Sequence, residues 1–262
     1  MRGLSAHGRK HCLIYGGKSV ITALPSLLLV IKVAAGPAAC IMTCWQNDSE
    51  GWHYNRKTIA ASLGRQRLQA KADRKFKATT DSQHKRPVAP NLLKQDFTAT
   101  APHQKWAGDI TCMWTAVGWV YLAVMIDVFS PAVAGWSISE RMKSDLVCDA
   151  LQMALGRRGN PSGVIVHSDR GSQYCSDNYQ NMIKIRKLIC SMSSTGNCYD
   201  NACAESFFHS LKGELTHGKR FINRETLKAE LFNDIEVDYN QKRRHSTPGY
   251  VSPIVFERQA LS

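Results

Sequence analysis

Three acidic residues stand where the chain could build a metal-dependent catalytic centre. Asp109 interrupts the apolar stretch KWAGDITCMW, Asp169 follows the apolar run GVIVHS, and Glu205 lies near the start of ACAESFFHSLKGELT. A buried carboxylate is costly unless it meets a cation. Carboxylates that meet one another repel unless divalent cations neutralise them, and hard oxygen ligands suit Mg²⁺. Two such ions can activate a nucleophile and stabilise the leaving oxygen in phosphoryl transfer.

Residue type alone does not single out these three acids. Asp127, inside the apolar run WVYLAVMIDVFS, and Asp145, near the start of a helix-like stretch, are competitors for the same role. The choice depends on which elements bring their carboxylates together.

The pattern from Lys105 onward predicts the element order β-β-β-α-β-α-β-α-α. The strands are KWAGDITCMW, WVYLAVMIDVFS, AVAGWSIS, GVIVHSD and LICSMS. The second is nearly all apolar, as a central strand is. Ser144-Asp145 and Asp200-Asn201 are predicted to cap helices. A mixed five-stranded sheet flanked by helices follows. With its first strand between the second and the fourth, Asp109 and Asp169 would lie side by side, and the helix after Asp200 would bring Glu205 to them.

The bulk composition favours a polyanionic partner. The 262 residues carry 34 Lys and Arg against 21 Asp and Glu, a net charge of +13. Nucleic acid is the first candidate, and the alternative is a merely basic soluble protein. Nine cysteines in an odd, scattered arrangement indicate reduced thiols rather than a disulfide framework or a zinc site. The apolar stretch near the amino terminus is too interrupted for a membrane span.

Three regions are predicted before the catalytic core, which we place at residues 105–262. Residues 1–50 are atypical, with no acidic residue through position 47. Residues 51–80 form a basic helical region, either a helix lying on DNA or a solvated amphipathic helix. Residues 81–104 have the composition of a linker. The candidate DNA contacts in the basic region are Arg56, Lys57, Arg65 and Arg67.

The chain resembles the DDE transposases of bacterial insertion sequences, the OrfB-type products of a second open reading frame, and through them the retroviral integrases. The resemblance is carried by WAGDIT around Asp109, VIVHSDRGSQY around Asp169, GNCYDNACAESFFHSLKGE around Glu205 and the closing YNQKRRHSTPGYVSP. The second Asp and the Glu are separated by 35 residues. The matching words cover roughly residues 51–258.

The resemblance implies an RNase H-like core in which Asp109, Asp169 and Glu205 bind two Mg²⁺ or Mn²⁺ ions. It implies cleavage at an element end, then attack of the freed 3′-OH on another phosphodiester, without a covalent protein–DNA intermediate. Lys212, seven residues after Glu205, fits the basic position of the family and should contact DNA near the metals. The partners would be element-end and target DNA, a homo-oligomer on that DNA and the product of the upstream frame. The location would be the bacterial cytoplasm, at the nucleoid.

Other basic residues have two interpretations. His167 and Arg170 could orient Asp169 or contact phosphates, whereas a histidine at a strand end can also be a packed one. Lys242, Arg243 and Arg244 could contact phosphates or form a solvated helix end. Asn197, Asp200 and Asn201 are expected to build the turn before the Glu205 helix.

Residues 1–49 depart from the family, whose members carry a helix-turn-helix region there. We expect this segment to derive from another reading frame or an unrelated start, leaving a partial DNA-binding region at 51–80. Two competing functions follow. The first is a catalytically idle remnant that occupies element ends, and the second is an RNase H-like nuclease outside transposition.

Overall fold

The computed structural model describes residues 86–194, 198–216, 219–245 and 248–261, together with Arg65 and the backbone of three short strands nearer the amino terminus. The chain divides into two compact units, Met1–Ala72 and Asp73–Ser262. In the first unit, β1 (Leu13–Tyr15), β2 (Lys18–Thr22) and β3 (Leu28–Ile31) form an antiparallel sheet in that order. The expectation that residues 1–50 arise from another reading frame stays a prediction.

A five-stranded mixed sheet forms the centre of the second unit. Its strands are β4 (Lys105–Thr115), β5 (Gly118–Asp127), β6 (Val133–Ser139), β7 (Ile165–Ser168) and β8 (Ile189–Met192). Their spatial order is β6-β5-β4-β7-β8. The pairs β4–β5 and β5–β6 are antiparallel, whereas β4–β7 and β7–β8 are parallel. The predicted neighbours of the first core strand, the second and the fourth, are confirmed.

Helices cover both faces of this sheet. They are α1 (Ser144–Arg157), α2 (Asp177–Ile185), α3 (Ala202–Leu211), α4 (Arg224–Phe232) and α5 (Pro253–Leu261). A 3₁₀ turn, Cys198–Asn201, precedes α3, and π-helical segments extend α3 through Lys212–Thr216 and α4 through Asn233–Lys242. One apolar layer joins α1 and α2 to the sheet, and a second joins α3 and α4 to its opposite face.

Both predicted helix caps need correction. Helix α1 begins at Ser144, so Lys143 takes the N-cap position and no side chain caps it. Asn201 stands at the N-cap of α3 but makes no side-chain cap bond. The Asp200-Asn201 pair has other partners, described below with the active site.

The described part of the predicted linker packs against the core. Residues 86–104 contain no helix or strand, as its composition predicts. Leu93 is nevertheless only 1% exposed. The backbone N–H of Leu92 donates to Ser191 Oγ at 2.9 Å, and Arg86 Nη1 donates to the carbonyl of Ser172 at 3.0 Å. This segment therefore packs along the edge of the sheet and is not a flexible linker.

The cysteines of the described region agree with the sequence prediction. Five of them are free thiols: Cys112, Cys148, Cys175, Cys190 and Cys203. None of the helices in the described parts of the chain has the length and apolarity that crossing a membrane requires.

Candidate active site

Asp109 lies in the middle of β4, opposite Val124 of β5. Its carboxylate is half-buried, and the backbone N–H of Ile110 donates to Oδ1 at 2.8 Å. Burial raises the pKa of Asp109 well above its usual range, and the negative charges of Asp169 and Glu205 raise it further. The positive charge of Lys212 acts in the opposite direction. The surroundings of Asp109 therefore disfavour the ionised form of its carboxyl group.

Asp169 is brought beside Asp109 by strand pairing. Strand β7 runs parallel to β4 with Ala107 paired to His167. Asp109 and Asp169 each follow two residues later, so their side chains reach the same level of the sheet. The backbone N–H of Gly171 donates to Asp169 Oδ1 at 2.9 Å, which fixes the carboxylate in the turn after β7.

Glu205 lies in the first turn of α3, on the exposed side of that helix. Buried side chains of the same helix hold it on the sheet: Ala204, Phe207, Phe208 and Leu211. Each large apolar side chain buried in this way contributes roughly 1.5–3 kcal/mol. Asn201 Nδ2 donates to the carbonyl of Gly108 at 3.2 Å, so the start of the helix is tied to the residue that precedes Asp109. Partial desolvation raises the pKa of Glu205.

The three acids therefore converge from two neighbouring strands and one helix. Among the described residues, no group of three histidine, cysteine or acidic side chains already encloses a cation position. The donor set fits a hard divalent ion nonetheless, because all three ligands are carboxylates. Their mutual repulsion at Asp109 is the penalty that a divalent cation would relieve.

The surroundings of Asp127 and Asp145 argue against a metal-binding role for either acid. Asp127 is completely buried and accepts N–H groups from the His103 backbone at 2.9 Å, the Trp106 indole at 3.2 Å and the Phe129 backbone at 3.1 Å. It is a structural carboxylate. Asp145 is exposed in the first turn of α1.

Of the two interpretations of His167, its burial favours the packed histidine over a contact with DNA. It is fully buried, with Nδ1 2.8 Å from Ser191 Oγ and Nε2 3.2 Å from Ser193 Oγ. Burial lowers its pKa, against the nearby charge of Asp200. A neutral, enclosed ring cannot reach a phosphate. Arg170 is half-buried and its Nε donates to the carbonyl of Ser193 at 2.6 Å, which ties the Asp169 turn to the segment after β8.

Lys212 and Arg243 are also less accessible than DNA contacts would require. Lys212 is buried at the start of the π-helical extension of α3, and its charge acts on Asp109. Arg243 Nη1 donates to Glu214, whose side chain is 4% exposed. Lys242 is exposed, Arg244 is half-buried, and Arg65 is an exposed helical residue. Arg56, Lys57, Arg67 and Asn197 lie outside the described residues.

Asp200 and Asn201 lie in the turn before the Glu205 helix, as the sequence predicts, but the sequence does not predict their bonding partners. Asp200 Oδ2 accepts from the backbone N–H of Ser194 at 2.8 Å and from Asn91 Nδ2 at 2.9 Å, which closes the loop before α3. Asn201 binds Gly108 instead of capping its own helix. The signal was present in GNCYDNACAES, but a helix cap is the commoner role of such residues.

Comparison with known proteins agrees with this geometry. Residues 99–198 and 205–261 match two family models, each described as an integrase core domain. The chain is 58% identical over 214 residues to the transposase InsF for insertion sequence IS3A of Escherichia coli K12, covering 82% of this chain and 74% of that protein. It is 47% identical over 193 residues to an uncharacterized 31 kDa protein of insertion element IS600 from Shigella sonnei, covering 74% of this chain and 71% of that protein.

A solved structure has the same fold. A chain of the simian T-cell lymphotropic virus intasome in complex with the PP2A regulatory subunit B56 gamma superposes with a TM-score of 0.51 at 17% identity, covering 85% of this chain and 70% of that one. The predicted RNase H-like class is confirmed by the five-stranded mixed sheet and this likeness. The chain belongs to the integrase-core transposases of insertion sequences of the IS3 type.

Proposed function

We propose that this transposase cuts and joins DNA with Asp109, Asp169 and Glu205 as its catalytic carboxylates. The observation that carries the proposal is their convergence. Asp109 and Asp169 stand at one level of the parallel pair β4–β7, and the Glu205 helix is anchored to Gly108. The raised pKa of Asp109, caused by burial and by the other two charges, supports a shared site.

These carboxylates would hold two divalent ions, Mg²⁺ or Mn²⁺. When bound, such ions polarise the phosphodiester and activate the attacking oxygen. The chain's own part is to position its acids, through Ile110 N–H on Asp109 and Gly171 N–H on Asp169. Lys212 adds a positive charge beside the acids, which partly offsets their repulsion.

Two phosphoryl transfers follow from this arrangement. In the first, water attacks a phosphodiester at the element end, the P–O3′ bond breaks and a 3′-OH is left. In the second, that 3′-OH attacks a target phosphodiester, a new P–O bond forms and a target 3′-oxygen leaves. Each step exchanges one P–O bond for another, so no serine or tyrosine nucleophile is needed.

The remaining parts of the proposal concern partners. The catalytic core is residues 105–262, and the basic region 51–80 binds element-end and target DNA through phosphates, which gives salt-dependent binding. Joining two ends requires a homo-oligomer, and the upstream-frame product would supply further DNA binding. DNA as substrate would place the protein at the nucleoid.

A strand-transfer assay tests the proposal. Labelled DNA from either side of the coding sequence is incubated with Mg²⁺ or Mn²⁺ and with wild type, Asp169→Asn or Asp145→Asn. We expect metal-dependent joining by the wild type and by Asp145→Asn, which changes an exposed acid in the first turn of α1. Asp169→Asn should give no product.

The negative outcomes are distinct. Equal activity of Asp169→Asn would overturn the assignment of the carboxylates. A folded, DNA-binding wild type without product would favour the idle remnant instead. Nicking of plain duplex without joining would favour a nuclease outside transposition.

A further inference from the structure

Two tryptophans are exposed at the tip of the β4–β5 hairpin. Trp114 and Trp119 are cross-strand partners, and their rings meet edge to face with centroids 4.9 Å apart. Trp114 is 58% exposed and Trp119 is 48% exposed. A pair of large aromatic side chains left in water has no packing role to explain it, and exposed apolar patches of this kind mark binding surfaces.

The tryptophan pair lies on the same face of the β4–β5 hairpin as a narrow groove that one of the three acids, Asp169, borders. Side chains on one face of a strand recur every second residue. Trp114 therefore follows Ile110 and Cys112 on β4, and Trp119 precedes Tyr121 on β5, where Cys112 and Tyr121 are partners. The floor residues Ile110, Cys112 and Tyr121 line a groove together with Asp169, Met142 and Gln173. One continuous strip thus runs from Asp169 to the tryptophans.

The strip has the length of a short piece of DNA strand. Trp114 follows Ile110 at an offset of four residues, which at about 3.4 Å per residue is roughly 14 Å. Successive bases of a strand are about 3.4 Å apart along the axis. The strip therefore spans at most about four nucleotides, because an unpaired strand can be more extended than stacked bases.

A basic loop borders the same groove. Gln173 Nε2 donates to the carbonyl of Met142 at 3.0 Å, which holds the loop against the Asp169 segment. Arg141 and Lys143, on either side of Met142, are exposed. The acid of this loop, Glu140, pairs with Arg224 at 2.8 Å. The groove thus offers aromatic rings on its floor and positive charges on its rim.

We propose that this strip binds an unpaired stretch of the DNA strand that leads into the active site. Bases stack on Trp114 and Trp119, and phosphates contact Arg141 and Lys143. The occupant is unpaired because duplex bases stack on each other and cannot offer their faces to a side chain. Aromatic platforms in a positive groove are the general means of binding single strands. The inference rests on the proposed function, since the strand is the one cut or joined at Asp169.

Fluorescence anisotropy with labelled oligonucleotides in metal-free buffer, where no cleavage occurs, tests the inference. The probes are a blunt duplex and the same duplex with a four-thymine tail on either the 3′ or the 5′ end. The proteins are the wild type, the double variant Trp114→Ala/Trp119→Ala, the double variant Trp114→Phe/Trp119→Phe and the control Phe232→Ala. Phe232 is a 54% exposed aromatic residue at the end of α4, where it contacts Trp136.

The wild type should bind one tailed duplex more tightly than the blunt one. The double alanine variant should lose this preference, with affinity for the tailed probe falling about ten-fold or more, as the loss of base stacking implies. The double phenylalanine variant keeps aromatic faces and should retain most of the preference. Phe232→Ala should behave as the wild type.

Three results would overturn the inference. The first is an unchanged preference for the tailed probe in the double alanine variant, and the second is an equal loss of affinity for the blunt and tailed probes. The third is a changed oligomeric state of this variant with its tail binding intact, which would make the tryptophan pair part of a protein interface. The strand-transfer assay on the same preparations separates the two proposals. A wild type that joins DNA without tryptophan-dependent tail binding refutes only this inference. A wild type that binds tails through the tryptophans but never joins DNA refutes only the proposed function.

Discussion

Trp106 and Asp127 face each other across β4 and β5, and the indole N–H of Trp106 donates to Asp127 Oδ2 at 3.2 Å. Both side chains are completely buried. The same carboxylate also accepts the backbone N–H groups of His103 and Phe129. Asp127 thus joins the entry into β4 to the exit from β5, at the end of the sheet that supports Asp109.

Asp127→Ala should therefore destabilise the protein. It leaves three N–H donors without their acceptor, and each buried unsatisfied group costs about 1–3 kcal/mol. We expect the free energy of unfolding to fall by about 3 kcal/mol or more, measured by urea denaturation. Asp145→Ala, at an exposed position on α1, should change it by less than about 0.5 kcal/mol. Similar small effects for both variants would show that Asp127 is not a structural acid.

Asp109 and Asp127 could not be distinguished from the sequence by residue type or position in a strand. Both are acids in apolar strands, and periodicity places both in the sheet. The order of strands and helices along the chain predicts the order of strands in the sheet. That order in turn places Asp109 beside Asp169, so both features could be predicted. The partners of Asp127 come from a loop, an indole and a turn, and such long-range contacts leave no periodic signal.

The basic residues were predicted less well for a related reason. Charge and sequence position suggest DNA contact, but accessibility depends on tertiary packing. His167 is enclosed by Ser191 and Ser193, and Arg243 is occupied by Glu214. Neither partner is close in sequence, so the burial of these two side chains could not be read from local pattern.

Asp109→Asn should stabilise the metal-free protein while abolishing strand transfer. Burial and the charges of Asp169 and Glu205 disfavour the ionised form of Asp109 and raise its pKa. Keeping this carboxylate ionised therefore costs the folded protein free energy. A neutral amide of the same shape removes that penalty. We expect a higher thermal midpoint than wild type in the presence of EDTA, measured by circular dichroism. A lower midpoint would contradict the view that repulsion strains the site.

Two glycines give opposite predictions for the same substitution. A Cβ on Gly135 of β6 would lie 2.4 Å from the carbonyl oxygen of Ala150 and 2.4 Å from the amide nitrogen of Ala154, both on α1. Backbone atoms cannot move aside cheaply, so Gly135→Ala should cost about 3 kcal/mol of unfolding free energy. Gly156, exposed in the same helix, has no atom within 4 Å of a built Cβ. Gly156→Ala should stabilise by about 0.5–1 kcal/mol. Urea denaturation of both variants checks the pair, and a tolerated Gly135→Ala would contradict the close approach of α1 to β6.

Replacing either of the two adjacent basic residues at the end of the α4 extension should have different effects on stability. Arg243→Gln removes the cation that pairs with the buried Glu214 carboxylate, and breaking a buried pair costs about 3 kcal/mol or more. Lys242→Gln changes an exposed residue and should leave stability within about 0.5 kcal/mol. If Lys242 contacts a phosphate, its loss lowers the slope of log affinity against log salt by about 1. Equal losses of stability in the two variants would refute the structural role of Arg243.

His245 should make the protein sensitive to mild acid. Its Nε2 is buried without a hydrogen bond, and its ring packs edge-on against Tyr239 with centroids 4.8 Å apart. Burial, and then the charge of Arg243, lowers its pKa from 6.5 to about 4. The folded ring stays neutral while the unfolded one takes a proton below pH 6.5, so stability is fully present above that pH. It falls as the pH drops toward about 4 and then levels off, a loss of up to about 3 kcal/mol.

The variant His245→Phe keeps an aromatic ring against Tyr239 but binds no proton. Its free energy of unfolding, measured by urea denaturation at intervals from pH 7 to pH 4, should fall less steeply than that of the wild type. Some slope should remain, because burial also lowers the pKa of His167, which acts with the same sign. His209→Gln, at an exposed position on α3, serves as the control and should follow the wild-type curve. A His245→Phe curve parallel to the wild type over this range would mean that the imidazole has the same pKa in the folded and unfolded states, and would contradict its burial against Tyr239 and Arg243.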